Sequence, residues 1–491
     1  MRTRTLMLSF ALMATMDAAA QVNSGVIFRA VNEIRNHDAF ANGQVALMAT
    51  DMKTGEVLAS VNPDMSVIPA SNTKLFTTAA ALELLGADYT YKTELVYTGN
   101  IDSTGLLKGD IIIRGSGDPT LGSRFFTDHA NYNYNDLFIA AIQKAGIKHV
   151  SGNIVGDGTI YIKETTPPTW AWEDLGNYFG AVPNGLTVND NMMTLHFKTG
   201  RDGSEPVYMG SEPPIKGMNL TNLTTASATV TRENTNVFGK TYQLSKYIEG
   251  PMPINKNDVT VRCILPDPPL FAATQLLDSL NSRGIKVLGK PFSAADNNRY
   301  LEKDTTATVI CTLESPPLSE IIKYTNWHSI NLYAEHCAIL VGMKWFNSSS
   351  IPMGGAAVMQ FWKSKGMDIK GMSLNDGCGL SHFNIVTARQ LCYLLTYMHN
   401  TSQNYDAFNN SLTMCGDKGT MSSMCLNTRA EKNARGKSGT VRRVKSYSGY
   451  VTSRSGREIA WAIVVNNFTC SSNDARKMME KFIVALADYN N

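Results

Sequence analysis

No Cys-x-x-Cys pair and no His-Glu-x-x-His occurs in the sequence, so a zinc site has no ligand set to build on. There is also no Gly-x-Ser-x-Gly elbow, and the eight histidines show no triad arrangement. Charge is scarce: charged residues make up 18%, and the net charge is only +3 over 491 residues. Disordered chains are poorer in apolar residues and richer in charge, whereas apolar residues here reach 43%, enough for real cores. The densest basic cluster is Arg435, Lys437, Arg442, Arg443 and Lys445, in a segment that reads as strands. Without a basic stripe or a binding module, nucleic acid is excluded as a partner.

Long apolar runs are missing too, except at the start. Arg2 and Arg4 precede an apolar stretch from Leu6 to Met16, which Ala18-Ala19-Ala20 follows. That is the layout of an export signal at residues 1–20, cut before Gln21, and it is too short to span a bilayer. The expectation is an exported protein with no transmembrane anchor. Eight cysteines in an exported chain allow 105 pairings, and Cys415 with Cys425, bracketing a Gly/Ser-bearing loop, is the pair expected to join.

A chain of 491 residues exceeds one ordinary core, so two or three domains are expected. Residues 26–39 read as an amphipathic helix; Gln44 to Thr50 and Val57 to Val61 read as strands joined by Lys53-Thr54-Gly55. Ser71 to Leu85 reads as a helix stopped by Gly86. Between about Thr90 and Pro266, short strands such as Ile154 to Ile162 alternate with Gly, Asn and Pro turns, as in inserted β-rich domains. Helices return at 271–282, 316–324, 330–341 and 387–398. Tyr447 to Thr452 and Glu458 to Val465 then form a hairpin, before a closing helix at 474–488. This order predicts terminal helices packed together on one sheet.

Ser71-Asn72-Thr73-Lys74 places a lysine three residues after a serine at a helix start, so both lie on one face. A neutral lysine can take the serine proton if burial or neighbouring cations lower its pKa. Ser329-Ile330-Asn331 supplies a second element at a helix start, and Lys437-Ser438-Gly439-Thr440 a third at the head of an edge strand. Each is weak alone, and the three in this order are the set found in penicillin-binding proteins and class A β-lactamases. Glu173 and Asn177 superficially match the Glu-x-x-x-Asn element of class A β-lactamases, but they precede Ser329, where that element follows. Trp170, Trp172 and Tyr178 beside them read as packing of the insert.

The three motifs, with Gly117-Asp118-Pro119-Thr120-Leu121, Val188-Asn189-Asp190-Asn191, Asn375-Asp376-Gly377-Cys378-Gly379-Leu380-Ser381 and Tyr447-Ser448-Gly449-Tyr450-Val451, carry a resemblance over the mature chain. The sequence resembles the D-alanyl-D-alanine carboxypeptidase/endopeptidase family of class C low-molecular-mass penicillin-binding proteins, serine peptidase family S13. The resemblance implies an α/β (α+β) transpeptidase/β-lactamase-like domain, with terminal helices on an antiparallel sheet plus a helical part, interrupted by β-rich insertions. The divisions expected are 21–88 with 267–491 for the catalytic domain, 89–115 with 188–266 for one insert, and 116–187 nested within it. It implies Ser71 as nucleophile, Lys74 as base, Ser329 as proton relay and Asn331 as a substrate-positioning group. Lys437, Ser438, Gly439 and Thr440 would bind the substrate carboxylate and the oxyanion, and Asp157 the free amino terminus of the peptide. Three positions depart from the family's pattern: Ser438 stands for a threonine, keeping the hydroxyl, and Cys378 and His382 stand in a loop that usually ends in arginine. His382 thereby bears on specificity. The implied partners are peptidoglycan stem peptides, with β-lactams as covalent inhibitors, no cofactor, and a periplasmic or extracytoplasmic location. A β-lactamase or esterase on the same scaffold, or a non-catalytic peptidoglycan-binding protein, are the alternatives.

Overall fold

The computed structural model describes residues 25–163, 166–296 and 306–491, so the export signal lies outside the described residues. The turn after the first strand forms because Asp51 Oδ1 accepts from the backbone N–H groups of Lys53 and Thr54, while Gly55 takes φ +74°. The resulting hairpin, Gln44–Asp51 and Val57–Val61, is one end of a six-stranded antiparallel sheet. Strand Glu458–Asn466 pairs along the whole of Gln44–Asp51, and Val444–Thr452, Arg435–Val441 and Thr413–Met414 follow outward. The two ends of the chain thus share one sheet, as expected.

Both faces of this sheet are covered, which explains why its central strands are apolar almost throughout. On one face the helices Gly25–Arg35 and Ser472–Ala487 pack together through Ile27, Val31, Phe482 and Leu486. On the other lie Thr73–Leu85, Asn331–Phe346, Ile351–Ser364 and Ala388–Asn400. Thr73–Leu85 is at the centre of that layer: every residue from Thr73 to Leu82 is buried, so it has no polar face.

The helix Ile351–Ser364 was not legible in the sequence, where Pro352, Gly354 and Gly355 look like breakers. The proline occupies the first turn, where no N–H partner is needed, and the Ser350 hydroxyl caps the start. The glycines permit close approach. A Cβ on Gly354 would lie 2.8 Å from the backbone of Ala338, and one on Gly355 2.5 Å from Leu374 O.

Strand pairing in the insert crosses the expected divisions. One five-stranded sheet runs Pro291–Ser293, Ile154–Asp157, Ile111–Arg114, Lys92–Tyr97, Thr308–Glu314. It joins residues from both expected inserts to residues beyond 267, because Ile113 pairs with Gly156 and Leu95 with Cys311. The helix Pro268–Ser282 also buries Ala272, Leu276 and Leu280 in the core built by these strands. The strand expected to reach Ile162 ends at Asp157, where the chain turns. Cys415 and Cys425 are another correction: all eight cysteines are free thiols. These two lie side by side in the core beneath Ser472–Ala487 and pack as small apolar groups.

Candidate active site

Ser71 sits in a single 3-10 turn, Ala70–Asn72, that leads into Thr73–Leu85. Ala70 is held at φ +46°, a conformation that costs an L-residue energy and persists only where the surroundings impose it. Those surroundings are specific. Asn72 donates to Ser446 Oγ at 2.6 Å and accepts from Ser448, while Ser446 donates to Pro69 O at 2.5 Å. The turn is thereby tied to the central sheet.

Helical spacing brings Lys74 Nζ back to 3.0 Å from Ser71 Oγ. The ammonium group is fully buried and also donates to Asn331 Oδ1 at 2.7 Å and Cys378 O at 2.6 Å. Those two oxygens can only accept, so two lysine hydrogens are assigned to them. In the neutral amine the lone pair is left for the Ser71 hydroxyl. Burial is the largest influence on Lys74 and lowers its pKa; the charges of Cys378, Asp376 and Glu335 push the other way.

Asn331 is oriented by its second bond, Nδ2 to Phe179 O at 2.9 Å, which brings the insert to the site. Ser329, at φ +56°, accepts from Lys437 Nζ at 2.9 Å, leaving its own hydrogen free to donate onward. Lys437 is fully buried and gives a second hydrogen to Ser438 O at 2.7 Å. Its pKa falls well below the usual lysine value, first through burial and then through the charge of Lys74.

Strand Arg435–Val441 passes so near Ser71 that only glycine fits at 439: a Cβ there would meet Ser446 Oγ at 2.2 Å and Ser71 N at 2.9 Å. Among the described residues, its outer neighbour Thr413–Met414 pairs only with Gly436 and Arg435. From Lys437 onward that edge is open, the arrangement to which an extended peptide can add as a strand. Thr440 is exposed at this edge, and its hydroxyl accepts from Lys445 Nζ at 3.0 Å.

The sequence profile of the D-Ala-D-Ala carboxypeptidase 3 (S13) family matches residues 28–489. The chain belongs to this family. It is similar to a D-alanyl-D-alanine carboxypeptidase of Actinomadura sp. (strain R39), at 28% identity over 94% of this chain and 84% of the relative. It is 22% identical to the D-alanyl-D-alanine carboxypeptidase DacB of Haemophilus influenzae, over 88% of this chain and 87% of that one. The crystal structure of penicillin binding protein 4 from Haemophilus influenzae shares the fold, with TM-score 0.78 at 20% identity, over 94% of this chain and 99% of that one. The protein is thus a serine peptidase of the S13 family with a penicillin-binding-protein fold. Among the described residues no helix is long and apolar enough to cross a membrane.

One residue of this S13 site, Glu335, escaped sequence reading. Glu335 lies one helical turn after Asn331 and is fully buried behind Lys74. It accepts from Gly377 N at 2.9 Å, and burial, reinforced by Asp376, pushes its pKa up to about 8. Its i+4 spacing from Asn331 was the signal available. Four donors converge on the Asp376 carboxylate: Trp170 Nε1, Ser381 N, Gly379 N and Asn384 Nδ2, at 2.9, 2.7, 2.7 and 2.6 Å. Asp376 therefore shapes the loop that delivers the Cys378 carbonyl to Lys74. Glu335, Asp376 and Cys378 place ligand-type atoms within 4.8 Å of one another, and N–H donors already occupy both Asp376 oxygens and Glu335 Oε1.

Trp170 and Tyr178 do more than pack the insert: the first holds Asp376, and the second lines the cavity beside Ser329. Trp172 is exposed instead. Asn177 is structural, bridging Glu173 O and Val237 N. Asp157 is buried at a strand end, its Oδ1 accepting from Thr159 N and Oγ1 at 2.9 and 2.6 Å. Among the described residues its side chain makes no hydrogen bond to the Ser71 cluster. His382 is exposed on the loop after Ser381, apart from that network.

Proposed function

We propose that the protein hydrolyses D-Ala-D-Ala ends or cross-links of peptidoglycan stem peptides through an acyl-enzyme on Ser71, outside the cytoplasm, and that β-lactams acylate the same residue. The observation that carries this reading is the fixed orientation of the Lys74 amine, with two accept-only oxygens opposite and Ser71 Oγ at 3.0 Å. Ser71 Oγ bonds to the carbonyl carbon of the penultimate residue while its proton passes to Lys74. Backbone N–H groups of Ser71 and Thr440 receive the oxyanion, a contribution of about 10²–10³ in rate. When the C–N bond breaks, the departing amine takes its proton through Ser329, whose oxygen is already occupied by Lys437. Water then adds to the ester, releasing the peptide carboxylate and restoring the Ser71 hydroxyl.

Asn331 positions the substrate amide in this scheme, Lys437, Ser438 and Thr440 hold the terminal carboxylate, and Gly439 keeps the strand close to Ser71. Asp157 and His382 act further out, on the remainder of the peptide. Strand pairing supports a division into 25–90 with 315–491 as the catalytic unit and 91–314 as the insert.

The test is intact-mass spectrometry during incubation with benzylpenicillin, alongside Ser71→Ala. A lasting adduct in the wild type and none in the variant supports the peptidase. An adduct lost within seconds favours a β-lactamase, and no adduct on folded wild-type protein favours a non-catalytic binding protein.

A further inference from the structure

A cavity of about 300 Å³ opens directly beside Ser329 and Asn331, on the side facing the insert. Its walls are apolar and aromatic, from Phe125, Tyr178 and Phe179, and two arginines, Arg124 and Arg262, reach into it. Both guanidinium groups rest on rings, Arg124 at 4.7 Å from the Phe125 centroid and Arg262 at 4.3 Å from that of Tyr178. Such stacking holds the planar fork in place while leaving its edge available to a carboxylate.

The two cations differ in how far they are neutralised. Arg124 Nε lies 3.8 Å from Asp190 Oδ2, and Asp190 also accepts from Tyr333 Oη at 2.9 Å. Arg262 has no ion pair among the described residues. The cavity does not end at Arg124. A second depression of about 440 Å³ shares Arg124, Asp190 and Met192 with it and runs on past Tyr132 and Gln275. A single D-alanine fills little of this groove, since cavities of this size take whole drug-sized ligands.

Position decides which part of the substrate enters. The hydroxyl that hands a proton to the departing amine must lie beside that amine, and this groove opens on Ser329. The groove therefore continues the leaving-group side. Resting on the peptidase reading above, we infer that Arg262, assisted by Arg124, is an anion subsite for a leaving peptide that carries further carboxylates, as the second strand of a cross-link does. Recognition there favours cleavage of cross-links over removal of a terminal D-alanine.

The test compares two probes on one enzyme: a monomeric peptide ending in D-Ala-D-Ala, and a cross-linked muropeptide dimer whose leaving strand bears free carboxylates. Arg262→Ala is expected to lower the ratio of kcat/KM, dimer over monomer, by about 10- to 100-fold, mostly through KM. Arg262→Lys restores part of the ratio, and added salt narrows the gap between wild type and variant. Chemically amidating the dimer's leaving-strand carboxylates abolishes the difference between wild type and Arg262→Ala. An unchanged ratio in Arg262→Ala, in a variant that still forms the benzylpenicillin adduct, overturns the subsite and leaves the peptidase reading standing. Loss of that adduct from wild-type protein instead overturns the reading beneath it. If Arg262→Ala fails to fold, Arg262→Gln and the amidated dimer on wild-type enzyme give the same comparison.

Discussion

Two corners of this site each hold a fully buried lysine, and they are built differently. Lys74 has three oxygen partners and lies near Glu335, Asp376 and Cys378, whose charges oppose the effect of burial. Lys437 has two oxygen partners, and the charge of Lys74 adds to the effect of burial. Burying an ammonium costs several kcal/mol unless hydrogen bonds or charges offset it. At Lys74 the offset keeps the amine able to take and return a proton. At Lys437 little offsets it, so its proton affinity falls further and it serves as a hydrogen-bond donor to Ser329. The same residue type is thus poised for two tasks by its neighbours.

The largest expected effect comes from breaking the first corner. Lys74→Met leaves Asn331 Oδ1 and Cys378 O facing a thioether and removes the base, so acylation by benzylpenicillin should slow by about 10⁴-fold. Stopped-flow or quenched mass spectrometry reads this, and a loss below tenfold would remove Lys74 from the base role. In the wild type the same rate should climb with pH through a value below the ordinary lysine pKa of 10.5.

Lys437→Met should cost less, about 10²-fold in kcat/KM for a D-Ala-D-Ala peptide. Ser329 loses the donor that orients it but keeps its hydroxyl. If the two lysine variants are equally impaired, the division between corners is wrong.

The smallest effect on rate, but the clearest on stability, concerns the groups behind Lys74. Glu335 has a folded pKa of about 8 against an ordinary 4.5, so between those values the folded chain holds more protons than the unfolded one. Its contribution is fully present below about pH 4.5 and is lost as pH rises through about 8. Glu335→Gln stays neutral throughout. Denaturant titrations should therefore show the variant gaining on wild type from pH 5 to pH 9, by on the order of 3 kcal/mol. A constant difference across that range would mean Glu335 is ionised at both ends.

Much of the outline was legible because it rests on short-range rules. Strand alternation and turn residues located the hairpins, and Gly86, at φ +83°, marks the end of the Thr73–Leu85 helix as read. The helix Ile351–Ser364 was not legible, because its glycines answer to contacts with Ala338 and Leu374 rather than to local propensity. The strand pairing within the insert was not legible for a related reason. Parallel pairing of Ile111–Arg114 with Ile154–Asp157 leaves no mark on either segment alone.

The sequence by itself determined that Lys74 returns to Ser71, since three residues along a helix is a local distance set by backbone hydrogen bonds. It also determined where Ser329, Asn331 and Lys437 stand in the chain. Only the tertiary structure decided that Lys437 meets Ser329, that Cys378 O and Glu335 set the surroundings of Lys74, and that Arg262 opens onto the same cavity. Those contacts join segments from tens to hundreds of positions apart, and what brings them together is burial of apolar surface, which carries no address in local sequence.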